Sequence, residues 1–245
     1  MKIIVHPKYQ FATNFISCIP NEFENNKDLI YSGRNTVKRF RSDYGTWIVK
    51  KYRKPNIIQQ LAYTFWRKSK AERAFIFANK LLDLGIDTPE GIAYIENKKN
   101  GLFNIGYFIS TASDDLPLYP ILVENSHFDK SLATSLAAFF VFMHNKGFLH
   151  GDPNLDNILY HANSQGENSF SVIDTNRSVF RTHPSPKECL DNLKRITHRR
   201  DLLAYIIKEY AIMRQWNIDE SIHQVMHALN KFEKKRQLKH LLKFN

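Results

Sequence analysis

Apolar positions along this chain follow two rhythms, and the change between them divides it. From about Ser131 to Lys146 the apolar residues Leu132, Leu136, Phe139, Phe140 and Met143 recur at helical spacing, so a helix is predicted there, stopped by Gly147. A second helix is predicted from Lys70 to Leu84. Ser69 is its N-cap, Glu72 stands three residues later, and Gly85 with Pro89 ends it. Upstream, Thr36–Phe40 and Thr46–Lys50 alternate as strands around the turn Ser42-Asp43-Tyr44-Gly45. Downstream, Gly91–Ile95 and Tyr107–Ser110 flank a turn at Asn97–Gly101. The breaker-rich Asp114–Pro120 interrupts this order and is the expected connection between a β-rich part, 1–113, and a mostly helical part, 114–245. In the second part, helical patterns cover Glu188–Ile196, Arg200–Arg214 and Ser221–Phe244. The class expected is α+β in two lobes.

Composition changes this picture little. The chain has 245 residues, 43% of them hydrophobic, enough for one or two small domains. Its longest apolar run, Leu136–Met143, is too short to span a bilayer. The opening MKIIVHPKYQ lacks the core and cleavage site of a signal peptide. Two cysteines, Cys18 and Cys189, make a disulfide framework implausible and fit a reducing cytoplasm. Charge adds more. The net charge of +11 is clustered at Arg34, Lys38, Arg39 and Arg41, again at Lys50, Lys51, Arg53 and Lys54, and again at Arg67, Lys68, Lys70 and Arg73. A further group follows Lys231 in the tail, where Phe232, Leu238, Leu241 and Leu242 would either pack on the body or lie on a membrane. A basic surface of this kind favours a polyanionic partner and does not by itself choose between nucleic acid and anionic lipid.

The chemistry lies in His150-Gly151-Asp152-Pro153-Asn154-Leu155-Asp156-Asn157, followed by Val172-Ile173-Asp174. An aspartate, an asparagine five residues on, and a second aspartate ending an apolar strand match the order of H-R-D-x-x-x-x-N and D-F-G in protein kinases. Gly151 replaces the arginine, and Thr175-Asn176 replaces Phe-Gly. In that order Asp152 is the base for an acceptor hydroxyl, while Asn157 and Asp174 are the hard oxygen ligands of Mg2+. His150 is expected to hold the loop by hydrogen bonds. The strands Ile158-Leu159 and Phe170–Ile173 would pair through a polar turn at His161–Ser169. Trp47-Ile48-Val49-Lys50 resembles the V-A-I-K strand, so Lys50 would clamp the ATP phosphates and Ile48, on the same face, would cover the adenine. Ser110, closing the last predicted strand, joins the nucleotide-binding set. Glu72 is the expected ion-pair partner of Lys50, although Ser69-x-x-Glu72 also reads as a capping box. Gly33, Arg34 and Asn35 would form the phosphate-covering loop. Arg177 would hold either an anionic substrate group or a loop carbonyl.

Taken together, SGRNTVK (Ser32–Lys38), WIVKKY (Trp47–Tyr52), LLDLGIDTPEGIAY (Leu81–Tyr94), HGDPNLDN, VIDTNR (Val172–Arg177) and CLDNLKRI (Cys189–Ile196) resemble the lipopolysaccharide kinase family of the Kdo/WaaP type. The resemblance implies a bilobal protein-kinase-like fold that uses ATP and Mg2+. It implies phosphorylation of a Kdo or heptose hydroxyl of lipid A-core, at the cytoplasmic face of the inner membrane of a Gram-negative bacterium. Peripheral contact with anionic lipid is then expected, and no nucleic acid. The absence of Ala-Pro-Glu as well as Phe-Gly disfavours a peptide acceptor. Two alternatives remain: an atypical protein or RNA-associated kinase, and a nucleotide-binding pseudokinase scaffold.

Overall fold

The computed structural model describes residues 1–162 and 168–241, apart from the side chains of Lys239 and His240. Parts of two expected features therefore lie outside the described residues: 163–167 of the hairpin turn, and the chain end with Leu242 and Lys243. The chain forms two compact units, Met1–Asp114 and Asp115–Asn245.

In the first unit, six strands make one antiparallel sheet. They are β1 (Lys2–Val5), β2 (Leu29–Ser32), β3 (Thr36–Ser42), β4 (Gly45–Lys51), β5 (Gly91–Lys99) and β6 (Leu102–Thr111), in the order β1-β5-β6-β4-β3-β2. The four strands expected from alternation are present and longer than their patterns. The β5–β6 hairpin closes at Asn100-Gly101, with φ of 52° and 78°, the left-handed pair that a tight two-residue turn requires. β5 therefore runs on through Asn97–Lys99, where a turn was expected. β1, β2 and helix α1 (Thr13–Glu22) carried no expectation, and Pro20 inside α1 is a breaker that hides it.

Helix α1 covers one face of the sheet. Its Ile16 and Ile19, with the capping residue Phe23, are buried among Phe40, Trp47, Val49, Ile95 and Ile109. Lys38 of β3 is buried beneath them. Its ammonium donates to the carbonyls of Phe23 at 2.6 Å and Asn26 at 2.8 Å. A cation there satisfies carbonyls that the end of α1 leaves open and opposes the helix dipole. The first basic cluster is thus divided: Lys38 turns inward, and Arg41 pairs with Asp28.

Two further helices follow β4 in the chain: α2 (Ile57–Phe65) and α3 (Lys70–Asp83). Ser69 caps α3 by accepting the Glu72 backbone N–H at 3.1 Å, and Gly85 leaves it at φ 75°. Ala71 and Ala74 let α3 sit close to the sheet beside Tyr52 and Tyr94. Gly106 completes the fit, since a Cβ there would stand 3.0 Å from that of Ala71.

The second unit contains β7 (Leu116–Pro117), α4 (Leu118–Val123), α5 (Lys130–Asn145), β8 (Phe148–Leu149), β9 (Ile158–Ala162), β10 (Asn168–Val172), β11 (Val179–Phe180), α6 (Pro186–Leu193), α7 (Arg200–Arg214) and α8 (Ile218–Leu241). The segment Asp114–Pro120 holds the boundary between units, yet it is more than a connection, because β7 pairs with β9. The stripe of α5 is buried at Leu132, Leu136, Phe140 and Met143, and the helix packs along α7. α7 in turn packs along α8, where Val225 and Leu229 are buried while Leu238 and Leu241 are exposed. Among the described residues no helix is long and apolar enough to cross a membrane.

Candidate active site

β9 and β10 pair in antiparallel register, with Val172 opposite Ile158. The next step beyond that pair places Ile173 against Asn157, and the Ile173 N–H donates to the Asn157 carbonyl at 3.0 Å. Asp174 follows at φ 56° and ψ 42°, a left-handed conformation that aspartate tolerates better than most residues. A short 3-10 turn, Thr175–Arg177, then leads into β11, which pairs with β8. The two loops after β8 and β10 are thereby held side by side.

His150 fastens them. The Asp152 N–H donates to His150 Nδ1 at 3.0 Å, so the imidazole proton is on Nε2, which donates to the Ile173 carbonyl at 2.9 Å. Burial holds the His150 pKa below its ordinary value, in keeping with a neutral ring that positions rather than shuttles protons. Gly151 stands where kinases of the H-R-D type have arginine. A Cβ on it would come within 2.4 Å of the Arg177 carbonyl carbon, so the close approach of the two loops excludes any side chain. The Arg177 side chain is exposed and forms no hydrogen bond or ion pair among the described residues.

The carboxylate of Asp152 is asymmetric. Its Oδ1 forms an ion pair with Arg195 at 2.7 Å and accepts from Asn154 Nδ2 at 3.1 Å, whereas Oδ2 accepts nothing among the described residues. Asn157 spends its Nδ2 on the Asp152 carbonyl at 2.9 Å, leaving Oδ1 as its remaining ligand atom. Asp174 Oδ1 accepts from Asn176 Nδ2 at 2.5 Å. Asp152, Asn157 and Asp174 are therefore brought into one stitched pair of loops. An amide oxygen and a carboxylate are the hard donors Mg2+ takes when substrate phosphates and water complete its shell.

Arg195 is the residue that sequence reasoning missed. Besides Asp152 it donates to the Gly151 carbonyl at 3.0 Å, and its guanidinium lies 5.1 Å from the ring centre of Phe232 in α8. Asn192 adds a bond to the His150 carbonyl at 2.7 Å. A cavity of about 420 Å³ opens beside the loop, lined in part by Gly151, Pro153, Lys187, Asn192, Lys194 and Arg195.

In the first unit, Ile48 pairs with Ser110 and Lys50 with Phe108 across β4–β6. Directly opposed residues share a face, so Ile48, Lys50 and Ser110 lie on one side of the sheet. Trp47 and Val49 face α1 from the other side, where Lys51 pairs with Glu24. Lys50 Nζ lies 5.6 Å from the centre of the Tyr52 ring. The structure gives Glu72 an ion pair with Lys68, one turn back, at 3.8 Å. Gly33, Arg34 and Asn35 form the β2–β3 turn. There the Asn35 side chain accepts the Arg53 backbone N–H at 3.3 Å, and the Gly33 N–H donates to the Asn35 carbonyl at 3.1 Å.

The model of the lipopolysaccharide kinase (Kdo/WaaP) family matches residues 31–228, from β2 into α8. This chain belongs to that family. The Kdo/WaaP kinase fold is also seen by superposition. A solved structure described as WaaP in complex with acyl carrier protein has a TM-score of 0.61 over 97% of this chain and 98% of that one, at 16% identity. No curated protein matches the sequence.

The loop of this Kdo/WaaP kinase is backed by a buried polar chain. Tyr210 donates to His144 Nδ1 at 2.9 Å, and His144 Nε2 donates to Asn192 Oδ1 at 3.1 Å, which leads to His150. Burial lowers the His144 pKa from 6.5 to about 4. The folded state therefore resists a proton that the unfolded chain accepts, so the stabilisation is complete above 6.5 and is lost as pH falls towards 4. Folding stability is expected to drop by about 2 kcal/mol from this group between about pH 7 and about pH 5. Denaturant titrations at the two pH values check this, and the drop is expected to be smaller in His144→Gln.

Proposed function

We propose that the protein transfers the γ-phosphoryl group of ATP to a Kdo or heptose hydroxyl of the lipopolysaccharide inner core, working at the cytoplasmic face of the inner membrane. The observation that carries this reading is the divided carboxylate of Asp152 within a lipopolysaccharide kinase family member. Arg195 and Asn154 fix one oxygen and leave the other to take the proton of a hydroxyl. As the hydroxyl oxygen bonds to phosphorus, the bond from phosphorus to the bridging oxygen breaks, ADP leaves, and the proton passes to Asp152 Oδ2. Asn157 Oδ1 and Asp174 would hold Mg2+, whose charge offsets that of the phosphates when it is bound. Lys50 would hold the phosphates, Ile48 and Ser110 would line the nucleotide site, and the turn Gly33-Arg34-Asn35 would cover it. Glu72 would exchange Lys68 for Lys50 when nucleotide binds. Among the cations around the cavity, Lys194 is paired with Asp191 and Arg195 with Asp152, which leaves Lys187 for an acidic group of the acceptor.

Most of the catalysis would come from placement and charge. Radiolabelled ATP supplied with lipid A-core and with a generic protein tests the proposal. Label in the glycolipid that depends on Mg2+ is expected. Label in protein alone, the kinase itself included, would overturn it.

A further inference from the structure

Helix α2 is built inside out. Its Tyr63 and Thr64 face the sheet: Thr64 Oγ1 accepts the Phe103 N–H at 2.9 Å, and the Tyr63 ring meets that of Phe103 edge-on at 5.3 Å. No residue of α2 is buried. At ~100° per residue, Ile58, Leu61 and Phe65 fall within an arc of roughly 60° on the side opposite Tyr63, with Ile57 at its margin next to Thr64. Ile58 is 73% exposed, Phe65 63% and the capping residue Trp66 81%. A surface helix of a globular protein ordinarily turns its apolar stripe inward. The exposed Arg53 and Lys54 precede this helix and the exposed Arg67 and Lys68 follow it.

We infer that α2 is a membrane-docking helix whose apolar stripe enters the interface of an anionic phospholipid bilayer while the flanking cations meet the headgroups. Three observations favour lipid. The stripe is continuous and exposed, as an acyl boundary requires. Trp66 follows the stripe, its ring 5.6 Å from that of Phe65, and an indole beside an apolar stripe suits the membrane interface. The cations bracket the stripe at both ends and carry the sign that anionic headgroups attract. The inference rests on the glycolipid-kinase reading only for its purpose, since a kinase held at the surface meets an acceptor that does not leave it.

Flotation of the full chain with phosphatidylglycerol-rich vesicles, without nucleotide or acceptor, tests docking separately from catalysis. Wild type is expected to float with these vesicles and to stay down with phosphatidylcholine alone. Ile58→Ser/Phe65→Ser/Trp66→Ser and Lys54→Gln/Arg67→Gln are each expected to lower the bound fraction about ten-fold. Both should keep wild-type thermal unfolding, because the substituted side chains are exposed. Wild-type protein that stays down with every vesicle, or variants that float as well as wild type, would overturn the inference. Purified acyl carrier protein that binds wild type but not the triple variant, with no vesicle binding, would assign the stripe to an acidic protein instead. Failure to phosphorylate lipid A-core with vesicle binding intact would count against the kinase reading and leave docking standing.

Discussion

Asp152→Asn is expected to lower turnover by roughly 10²–10⁴-fold with little change in nucleotide affinity. The substitution keeps size and planarity. Its amide oxygen can occupy the Oδ1 position, stay against the Arg195 guanidinium and go on accepting from Asn154, so the loop keeps its shape. The amide nitrogen then stands where Oδ2 was, and a donor replaces the acceptor that the attacking hydroxyl needs. Loss concentrated in kcat, with KM for ATP within a few-fold of wild type, is the pattern of an interaction made in the transition state. Steady-state rates with lipid A-core and binding of a fluorescent ATP analogue measure the two quantities separately. A variant that turns over like wild type would remove Asp152 from the chemistry.

Gly151→Arg, which restores the H-R-D of protein kinases, is expected to destabilise the second unit by about 3 kcal/mol or more. The clash begins at Cβ, 2.4 Å from the Arg177 carbonyl carbon and 2.5 Å from its oxygen, so no rotamer relieves it. Backbone must move, and the backbone concerned follows Asp174 by three residues. The bond from the Gly151 N–H to Ser178 Oγ, 3.0 Å long, would go with it. Thermal unfolding reports the stability, and any protein that stays folded should lose turnover as well. An unchanged melting temperature would mean that the loops do not approach as described.

What could be read from the chain was local. Asp152, Asn157 and Asp174 are legible because a tight loop and a hairpin convert sequence spacing directly into spatial neighbourhood. The α5 stripe and the Ser69 cap are legible for the same reason. Arg195 was not, since it reaches Asp152 only after α6 has folded back on the loop, and although CLDNLKRI carries part of the resemblance, no spacing ties its arginine to Asp152. Alternation places Lys38 in a strand but carries no information on where its ammonium ends, so in the sequence a buried cap looks the same as surface charge. Helix α2 left a signal that went unused: Asn56 accepts the Gln59 N–H at 2.9 Å as an N-cap, and Ile57, Leu61 and Phe65 follow at four-residue steps. Its stripe faces outward, a direction that periodicity does not encode.

The central claim, that Asp152 serves the phosphorylation of the lipopolysaccharide inner core, is tested most directly by mass spectrometry. Lipopolysaccharide is compared from cells lacking the protein, from cells restored with wild type, and from cells restored with Asp152→Asn. The account predicts one phosphate missing from Kdo or heptose in the deletion, regained with wild type and still missing with Asp152→Asn. Core of the same mass in all three strains would contradict it.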